Sequence, residues 1–174
     1  MDAYGIIPHL KEDCMKSITD FALAGKKILL RADFNVPMDD NGNITDDIRI
    51  RMVLPTIRHI MQEKGRLIIC SHMGRPKGKR VDGLSLAPVA AHLSTLLDSP
   101  VAMAPDCIGG EVEALVDSMA DGEIVMLENL RFHNGETEND PVFSSRPYWS
   151  LSANFEFNNE NFIFGGISFR FTFL

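Results

Sequence analysis

Three short apolar runs, each ending abruptly in polar residues, constrain the fold of this chain most strongly. They span residues 28–30, 67–70 and 124–127, and the segments RADFN, SHMGRPKGKR and ENLRFH follow them in turn. The runs do not alternate apolar and polar residues, which is typical of strands buried on both faces of a parallel sheet. Residues 101–104 are a weaker fourth candidate. The pattern predicts a parallel sheet covered by helices.

Two segments between these runs have helical periodicity on one face. Ser85 is the candidate cap of a helix whose apolar stripe extends through residues 86–97. Residues 112–119 repeat apolar positions at i, i+3, i+4 and i+7. Both helices are expected to pack on the sheet. The alternation of strands and helices predicts an α/β fold with a three-layer, doubly wound parallel sheet of the Rossmann-like type.

A third periodic segment extends over residues 48–64. Thr45 or Asp46 is its expected N-terminal cap, and Gly65 is its expected stop. Pro55 lies inside it and is expected to kink or restart the helix, because proline removes one backbone hydrogen bond and crowds the preceding turn.

Composition excludes several classes of protein. The chain has 174 residues, which suffice for one ordinary domain but not for two full-sized ones. Its 45% apolar and 24% charged residues are those of a soluble globular protein, and a net charge of −7 disfavours a generic nucleic-acid or anionic-membrane surface. The three cysteines form no CxxC pair, and there is neither a signal peptide nor a long apolar run. We therefore expect a cytoplasmic protein with reduced thiols.

Polar and charged side chains follow each of the three strong runs. They are Arg31, Asp33 and Asn35 after the first, Ser71, His72, Arg75, Lys77, Lys79 and Arg80 after the second, and Glu128, Asn129, Arg131 and His133 after the third. In a parallel α/β sheet the carboxyl ends of the strands meet at one edge, where ligands bind. We expect these side chains to share that edge.

The segment 66–80 reverses the charge of the chain locally. It holds five cationic side chains and no acidic one, which favours a site for a small anion, because arginine binds phosphate or carboxylate with two parallel hydrogen bonds. Arg75 and Arg131 could clamp one ligand from different strand ends. The alternative at this stage is a solvated, flexible loop, with Arg131 paired to Glu128.

Two familiar kinds of catalytic machinery are not indicated. His72 and His133 have no neighbouring nucleophilic Ser or Cys in a known motif, so we expect them to be ligand contacts or structural groups rather than general bases. The sequence also lacks both the GxxxxGK[ST] and the GxGxxG phosphate loops.

Six segments, in order, resemble motifs of the phosphoglycerate kinase family. They are KILLRADFNVP (27–37), ITDDIRI (44–50), LPTI (54–57), CSHMGRPKG (70–78), DCIG (106–109) and LENLRFH (127–133). The resemblance runs over residues 15–143 and identifies residues 15–144 as part of the family's N-terminal domain, which binds 3-phosphoglycerate. Met15 is similar to the usual start of the family, so residues 1–14 are expected to be an extension.

The resemblance also implies roles for individual residues. It implies that Asp33, Asn35, Arg49, His72, Arg75 and Arg131 line the 3-phosphoglycerate site. Arg49 is the implied catalytic residue, since its family counterpart reaches the transferring phosphoryl group. His72 and the other arginines would hold the phosphate and carboxylate of the substrate, and Asp33 and Asn35 would orient its hydroxyl and the basic shell.

The implied reaction is the reversible phosphoryl transfer of glycolysis, between ATP and 3-phosphoglycerate, which gives 1,3-bisphosphoglycerate and ADP. The substrate's carboxylate is ionised near neutral pH, so no general base is needed. Mg-ATP or Mg-ADP is the implied cosubstrate. The family's nucleotide-binding lysines, glycine-rich loop and metal-binding Asp have no counterpart in these 174 residues, so no cofactor or metal residue is assigned and the chain alone is expected to be inactive.

The segment 145–174 differs from the rest of the chain and from the family. It contains seven of the eleven Phe residues and no Lys. FEF and FRFTF alternate as strands do, which predicts a terminal hairpin around Gly165 and Gly166. We interpret the segment as an aberrant tail, such as a frameshift near codon 144 would produce.

Other classes of function stay open from the sequence. The same basic pocket could serve a non-catalytic module that binds a phosphorylated metabolite, provided that the tail closes the sheet. A non-functional product is the third possibility, because a sheet that lacks its next strand leaves an apolar edge exposed. The expected partners are 3-phosphoglycerate or 1,3-bisphosphoglycerate, with no nucleic acid and no membrane, and a monomer is expected.

Overall fold

The strands and helices follow the predicted order along the chain. The computed structural model describes residues 17–137, 161–164 and 167–173. Its strands are β1 (Lys27–Arg31), β2 (Arg66–Cys70), β3 (Val101–Met103), β4 (Ile124–Met126), β5 (Asn161–Phe164) and β6 (Ile167–Phe173). Its helices are α1 (Ile48–Gln62), α2 (Ala87–Leu97), α3 (Gly110–Asp117) and α4 (Asn134–Thr137). None of these helices is long and apolar enough to cross a membrane.

One six-stranded sheet in the order β3-β4-β2-β1-β6-β5 organises the molecule. The first four strands pair in parallel, with Leu29 opposite Ile68 and Ile68 opposite Val125 in the centre of the sheet. This confirms the four predicted strands and their direction. The carboxyl ends of β1, β2 and β4 therefore lie next to one another at the same edge.

The two faces of the sheet are covered by different helices. Ile28 and Leu30 of β1 belong to the apolar cluster that contains α1 and α2, whereas Leu29, between them, belongs to the cluster that contains α3. The same division holds along β2 and β4. Because both faces are buried, the strands have no polar alternation. The predicted three-layer, doubly wound arrangement is confirmed.

Helix α1 continues through Pro55, so the restart that was one of the two expected outcomes does not occur. Pro55 lies on the exposed side, while the buried side chains Ile50 and Ile57 hold the helix on the sheet before and after it. The packing outweighs the cost of about 3 kcal/mol for a proline inside a helix. The cap position is Asp47, one residue later than predicted, although Asp46 Oδ1 accepts a hydrogen bond from the Ile48 backbone N–H at 2.9 Å.

Gly65 lies just after the end of α1, and the structure gives a second reason for a glycine at this position. Lys64 takes the left-handed conformation (φ 58°), and the Gly65 N–H donates to the Ile60 carbonyl at 2.9 Å, which closes the last turn. A Cβ on Gly65 would lie 2.5 Å from Ile28 Cδ1 and 2.9 Å from Ile60 Cγ2. Gly65 is therefore required by the close approach of the chain to β1.

The tail segment joins the sheet as a hairpin. Phe164 pairs with Ile167 in the antiparallel β5–β6 ladder, and β6 contains the predicted FRFTF strand, whereas the other predicted strand segment, FEF (155–157), lies outside the described residues. Strand β6 pairs antiparallel with β1, with Leu29 opposite Thr172. Strand β6 therefore pairs along the long side of β1 that β2 does not cover, which would otherwise be exposed. The predicted extension 1–14 and residues 145–160 lie outside the described residues.

Replacing Gly65 with Ala should destabilise the fold by about 1–3 kcal/mol, because the added methyl group overpacks the contact between α1 and β1. Ile60 Cγ2 is attached directly to the Cβ of a β-branched residue and cannot turn away freely. Gly83→Ala is the matched control, since nothing lies within 4 Å of a Cβ there. Urea denaturation of both variants provides the comparison. Equal stability of the two variants would contradict the packing argument.

Candidate functional site

Asp33 links the ends of β1 and β2 to the first turn of α1. Its Oδ2 atom lies 2.6 Å from Arg49 Nη1, and its Oδ1 atom lies 3.9 Å from His72 Nε2. The carboxylate also accepts a hydrogen bond from the backbone N–H of Asn35 at 3.1 Å, which turns the chain just after β1. Three of the six predicted site residues thus meet around one half-exposed carboxylate.

Gly74 connects Asn35 to one further predicted residue, Arg131. Its N–H donates to Asn35 Oδ1 at 2.9 Å, and its carbonyl accepts from Arg131 Nη1 at 2.9 Å. Residues from the ends of β1, β2 and β4 therefore meet at one glycine. Gly74 has a φ of 58°, which favours glycine, and a Cβ on it would lie 2.8 Å from Leu84 Cδ2, so the leucine side chain would have to move.

Arg75 is exposed and immediately follows the glycine to which Arg131 is bonded. Within the described part of the chain the structure gives Arg75 no hydrogen bond and no ion pair. The two arginines of the predicted clamp are therefore brought to neighbouring positions on the same edge. All six predicted site residues lie in the segments that follow β1 and β2, in the first turn of α1, or after β4.

Asn129 holds these segments together, a role that the sequence did not reveal. Its side chain is fully buried. The amide nitrogen donates to the carbonyls of Met73 and Leu84, both at 2.8 Å, and the amide oxygen accepts from the N–H groups of Met73 (3.2 Å) and Arg131 (3.1 Å). One side chain thus fixes the backbone on both sides of the Gly74–Arg131 contact.

Glu128 anchors the start of α2 beneath the same edge. Only 2% of its side chain is exposed. Its carboxylate accepts hydrogen bonds from Ser85 Oγ at 2.8 Å and from the Leu86 backbone N–H at 2.9 Å, and Arg80 lies 3.5 Å away. Glu128 therefore pairs with these groups and not with Arg131, the alternative considered from the sequence. Ser85 Oγ also accepts from the Ala87 N–H at 3.2 Å, but the cap position of α2 is Leu86, one residue later than predicted.

The basic loop is tied to the rest of the edge rather than free of it. The Gly78 N–H donates to the Arg131 carbonyl at 3.3 Å. Arg80 donates to the Pro105 carbonyl at 3.0 Å, and its guanidinium lies over the Phe132 ring, 5.9 Å from the centroid. The loop is therefore held at both Gly78 and Arg80, while Arg75, Lys77 and Lys79 stay exposed.

Asp47 fixes the end of α1 that carries Arg49. It accepts a hydrogen bond from Arg51 Nε at 2.8 Å, and its other oxygen lies 2.7 Å from His92 Nε2 on α2. These hydrogen bonds, the one from Arg51 first, lower the pKa of the Asp47 carboxyl below its usual value. The carboxylate therefore stays charged at neutral pH and holds the two helices together near the site.

The arrangement suits the binding of a small anion. It combines the guanidinium groups of Arg49, Arg75 and Arg131 with His72, and it contains no activated nucleophile. Arginine forks on a rigid edge can bind phosphate and carboxylate groups and can neutralise charge on a moving phosphoryl group.

Comparison with known proteins identifies one family throughout. The sequence model of the family described as phosphoglycerate kinase matches residues 18–159. The phosphoglycerate kinase of Desulfotalea psychrophila is 63% identical over 132 residues, which cover 76% of this chain and 34% of that protein. That of Chlorobium chlorochromatii is 58% identical over 129 residues, which cover 74% and 32%. The chain thus spans about a third of the length of these curated relatives.

Solved structures give the same result. The phosphoglycerate kinase from Coxiella burnetii is similar to this chain with a TM-score of 0.65 and 37% sequence identity, over 76% of this chain and 32% of that one. The enzyme from Pyrococcus horikoshii has a TM-score of 0.65 and 35% identity, over 73% and 31%.

Replacing Asn129 with Asp should destabilise the chain by about 2–5 kcal/mol, because it removes both amide donors and turns a carboxylate towards two buried carbonyl groups. Asn41→Asp is the matched control, since Asn41 is exposed and a surface change of this kind costs within about 0.5 kcal/mol. Chemical denaturation measures both. If Asn129→Asp were as mild as the control, Asn129 could not be the residue that holds this edge together.

Proposed function

Because this chain belongs to the phosphoglycerate kinase family, we propose that its strand-end site binds 3-phosphoglycerate or 1,3-bisphosphoglycerate. The observation that carries the proposal is the convergence of three strand ends, through Asp33 with Arg49 and His72 and through Gly74 with Asn35 and Arg131. Both ligands are small anions, and the site offers arginine groups held in place by buried and backbone contacts.

The roles within the site follow from where each group is held. Arg75 and Arg131, with His72, bind the phosphate and carboxylate groups of the substrate. Asp33 holds Arg49 at the start of α1 and orients it towards the transferring phosphoryl group. Asn35 keeps the glycine turn after β2 in position by accepting from the Gly74 N–H.

The proposed reaction of the family is phosphoryl transfer between ATP and the carboxylate of 3-phosphoglycerate, with Mg-ATP as substrate. The attacking carboxylate is ionised at neutral pH, so the protein needs to align it, neutralise charge and exclude water rather than remove a proton. Arg49 supplies positive charge on this side of the reaction. The nucleotide-side motifs of the family do not occur in these 174 residues. We therefore expect the 174-residue chain, taken alone, to bind the three-carbon acid without turnover.

One observation favours a second candidate function, a module that binds the metabolite without catalysis. Strand β6 pairs along β1 from Ile28 to Arg31, so the tail closes the sheet as such a module requires. The two candidates share the site, and they differ in whether the fold depends on residues 145–174. For both candidates we propose a cytoplasmic monomer, with no role for nucleic acid or a membrane.

Arg75→Ala and Arg131→Ala should each weaken 3-phosphoglycerate binding about 10–100-fold, because each removes charge-assisted hydrogen bonds of about 1.5–3 kcal/mol. Isothermal titration of the full chain measures this. Arg66→Ala is the matched control, because Arg66 begins β2 at the opposite edge of the sheet, where it pairs with Asp121 at 2.8 Å. Unchanged affinity in both site variants would remove the site assignment.

A coupled assay on the purified 174-residue chain distinguishes the two candidates from a complete kinase. We expect saturable binding of 3-phosphoglycerate and no ATP-dependent turnover, since the nucleotide-side motifs do not occur in this sequence. Turnover at the rate of a family enzyme would contradict that expectation. Loss of cooperative unfolding on deletion of residues 145–174 would support the closed binding module.

A further inference from the structure

Asp106, Cys107 and His133 form a cluster at the ends of β3 and β4 that the proposed function does not use. His133 Nε2 lies 2.7 Å from Asp106 Oδ1. One ligand atom from each residue, including Cys107 Sγ, falls within 4.8 Å of the others. The residues come from two of the six sequence motifs, DCIG and LENLRFH, which are far apart in the chain.

The backbone holds this cluster in place before any ligand binds. The Cys107 N–H donates to Asp106 Oδ1 at 2.6 Å, and the Glu128 N–H donates to the Asp106 carbonyl at 3.3 Å, which joins the end of β3 to the end of β4. The His133 N–H donates to the Leu130 carbonyl at 3.2 Å. Both ligand-bearing segments are therefore preorganised, which lowers the entropic cost of binding.

Burial gives the cluster an inner and an outer side. Cys107 is completely buried, whereas 39% of the Asp106 side chain and 30% of the His133 side chain are exposed. The carboxylate and the imidazole are partly open to solvent, so water can complete the coordination of a cation held by the three residues. Burial first, and then the Asp106 carboxylate, raise the pKa of the Cys107 thiol far above its ordinary value, so the thiol is protonated without a cation.

We propose that Asp106, Cys107 and His133 bind one zinc ion. Carboxylate oxygen, thiolate sulfur and imidazole nitrogen are the three ligand types that zinc takes in proteins, and a site with three protein ligands retains water in the fourth position. Zinc-to-ligand distances of about 2.0–2.3 Å place ligands roughly 3–4 Å apart, so closing the cluster requires only small side-chain movements. On binding, the thiol proton passes to solvent and the sulfur lone pair coordinates the metal.

The ligand set selects against magnesium. Magnesium prefers oxygen ligands in octahedral geometry, and sulfur and nitrogen are poor substitutes. The three proposed ligands are also different residues from the six of the anion-binding site, so zinc binding can be measured without substrate. The zinc proposal therefore stands or falls independently of substrate binding.

Titration of the full chain with Co²⁺ tests the proposal, because a thiolate ligand gives cobalt an ultraviolet charge-transfer band. We expect that band at one equivalent, its loss on adding Zn²⁺, and no competition from excess Mg²⁺. Cys107→Ser should abolish the band. Cys70→Ser is the matched control, since Cys70 is the other fully buried thiol of the same apolar cluster, and it should retain the band.

His133→Gln supplies a second variant that does not depend on a buried substitution, because His133 is partly exposed. Loss of one ligand should weaken Zn²⁺ binding by at least about tenfold, while the circular dichroism of the variant stays that of the parent chain. Absence of the cobalt band, its persistence in Cys107→Ser, or an unchanged Zn²⁺ affinity in His133→Gln would each overturn the proposal.

Discussion

The buried amide of Asn129 is the interaction on which the strand-end edge depends. It satisfies four backbone groups on the Met73, Leu84 and Arg131 segments at once. Each of those groups would be costly to leave unpaired in the interior. Because every donor and acceptor of the amide is in use, the three segments can take only one mutual arrangement, and the positions of Gly74 and Arg131 follow from it.

At this edge, the buried residues that hold the fold and the exposed charged residues are two different sets. Asn129 and Glu128 are buried and bonded to backbone and to the start of α2. By contrast, the Arg49–Asp33 pair is almost half exposed, and exposed ion pairs contribute only about 0–1 kcal/mol to stability. The pair therefore serves to orient Arg49 more than to hold the fold. Stability comes from the buried residues, and the exposed cations remain able to respond to a ligand.

The sequence predicted the four parallel strands because strands buried on both faces leave unbroken apolar runs, such as residues 67–70. It predicted the helix α1 but left a restart at Pro55 open, because the effect of the proline depends on whether it lies on the exposed side. It placed Gly65 at the end of α1 but did not show why the position needs glycine, which is the close approach of Ile28 on a different element. Such close approaches between elements have no local signature. The place of β6 beside β1 was equally hidden, since strand pairing depends on which edge the rest of the sheet leaves uncovered.

The residues of the candidate site could be predicted from the sequence, but the contacts that hold them in place could not. Asp33, His72 and Arg131 follow apolar runs, so parallel topology alone brings them to one edge. Asn129 follows a run in the same way, and nothing in its sequence context separates a buried structural amide from an exposed ligand contact. The same holds for the cluster of Asp106, Cys107 and His133, whose members become neighbours only because β3 and β4 pair in register. Sheet topology is thus what turns scattered polar residues into two chemically different clusters at one edge.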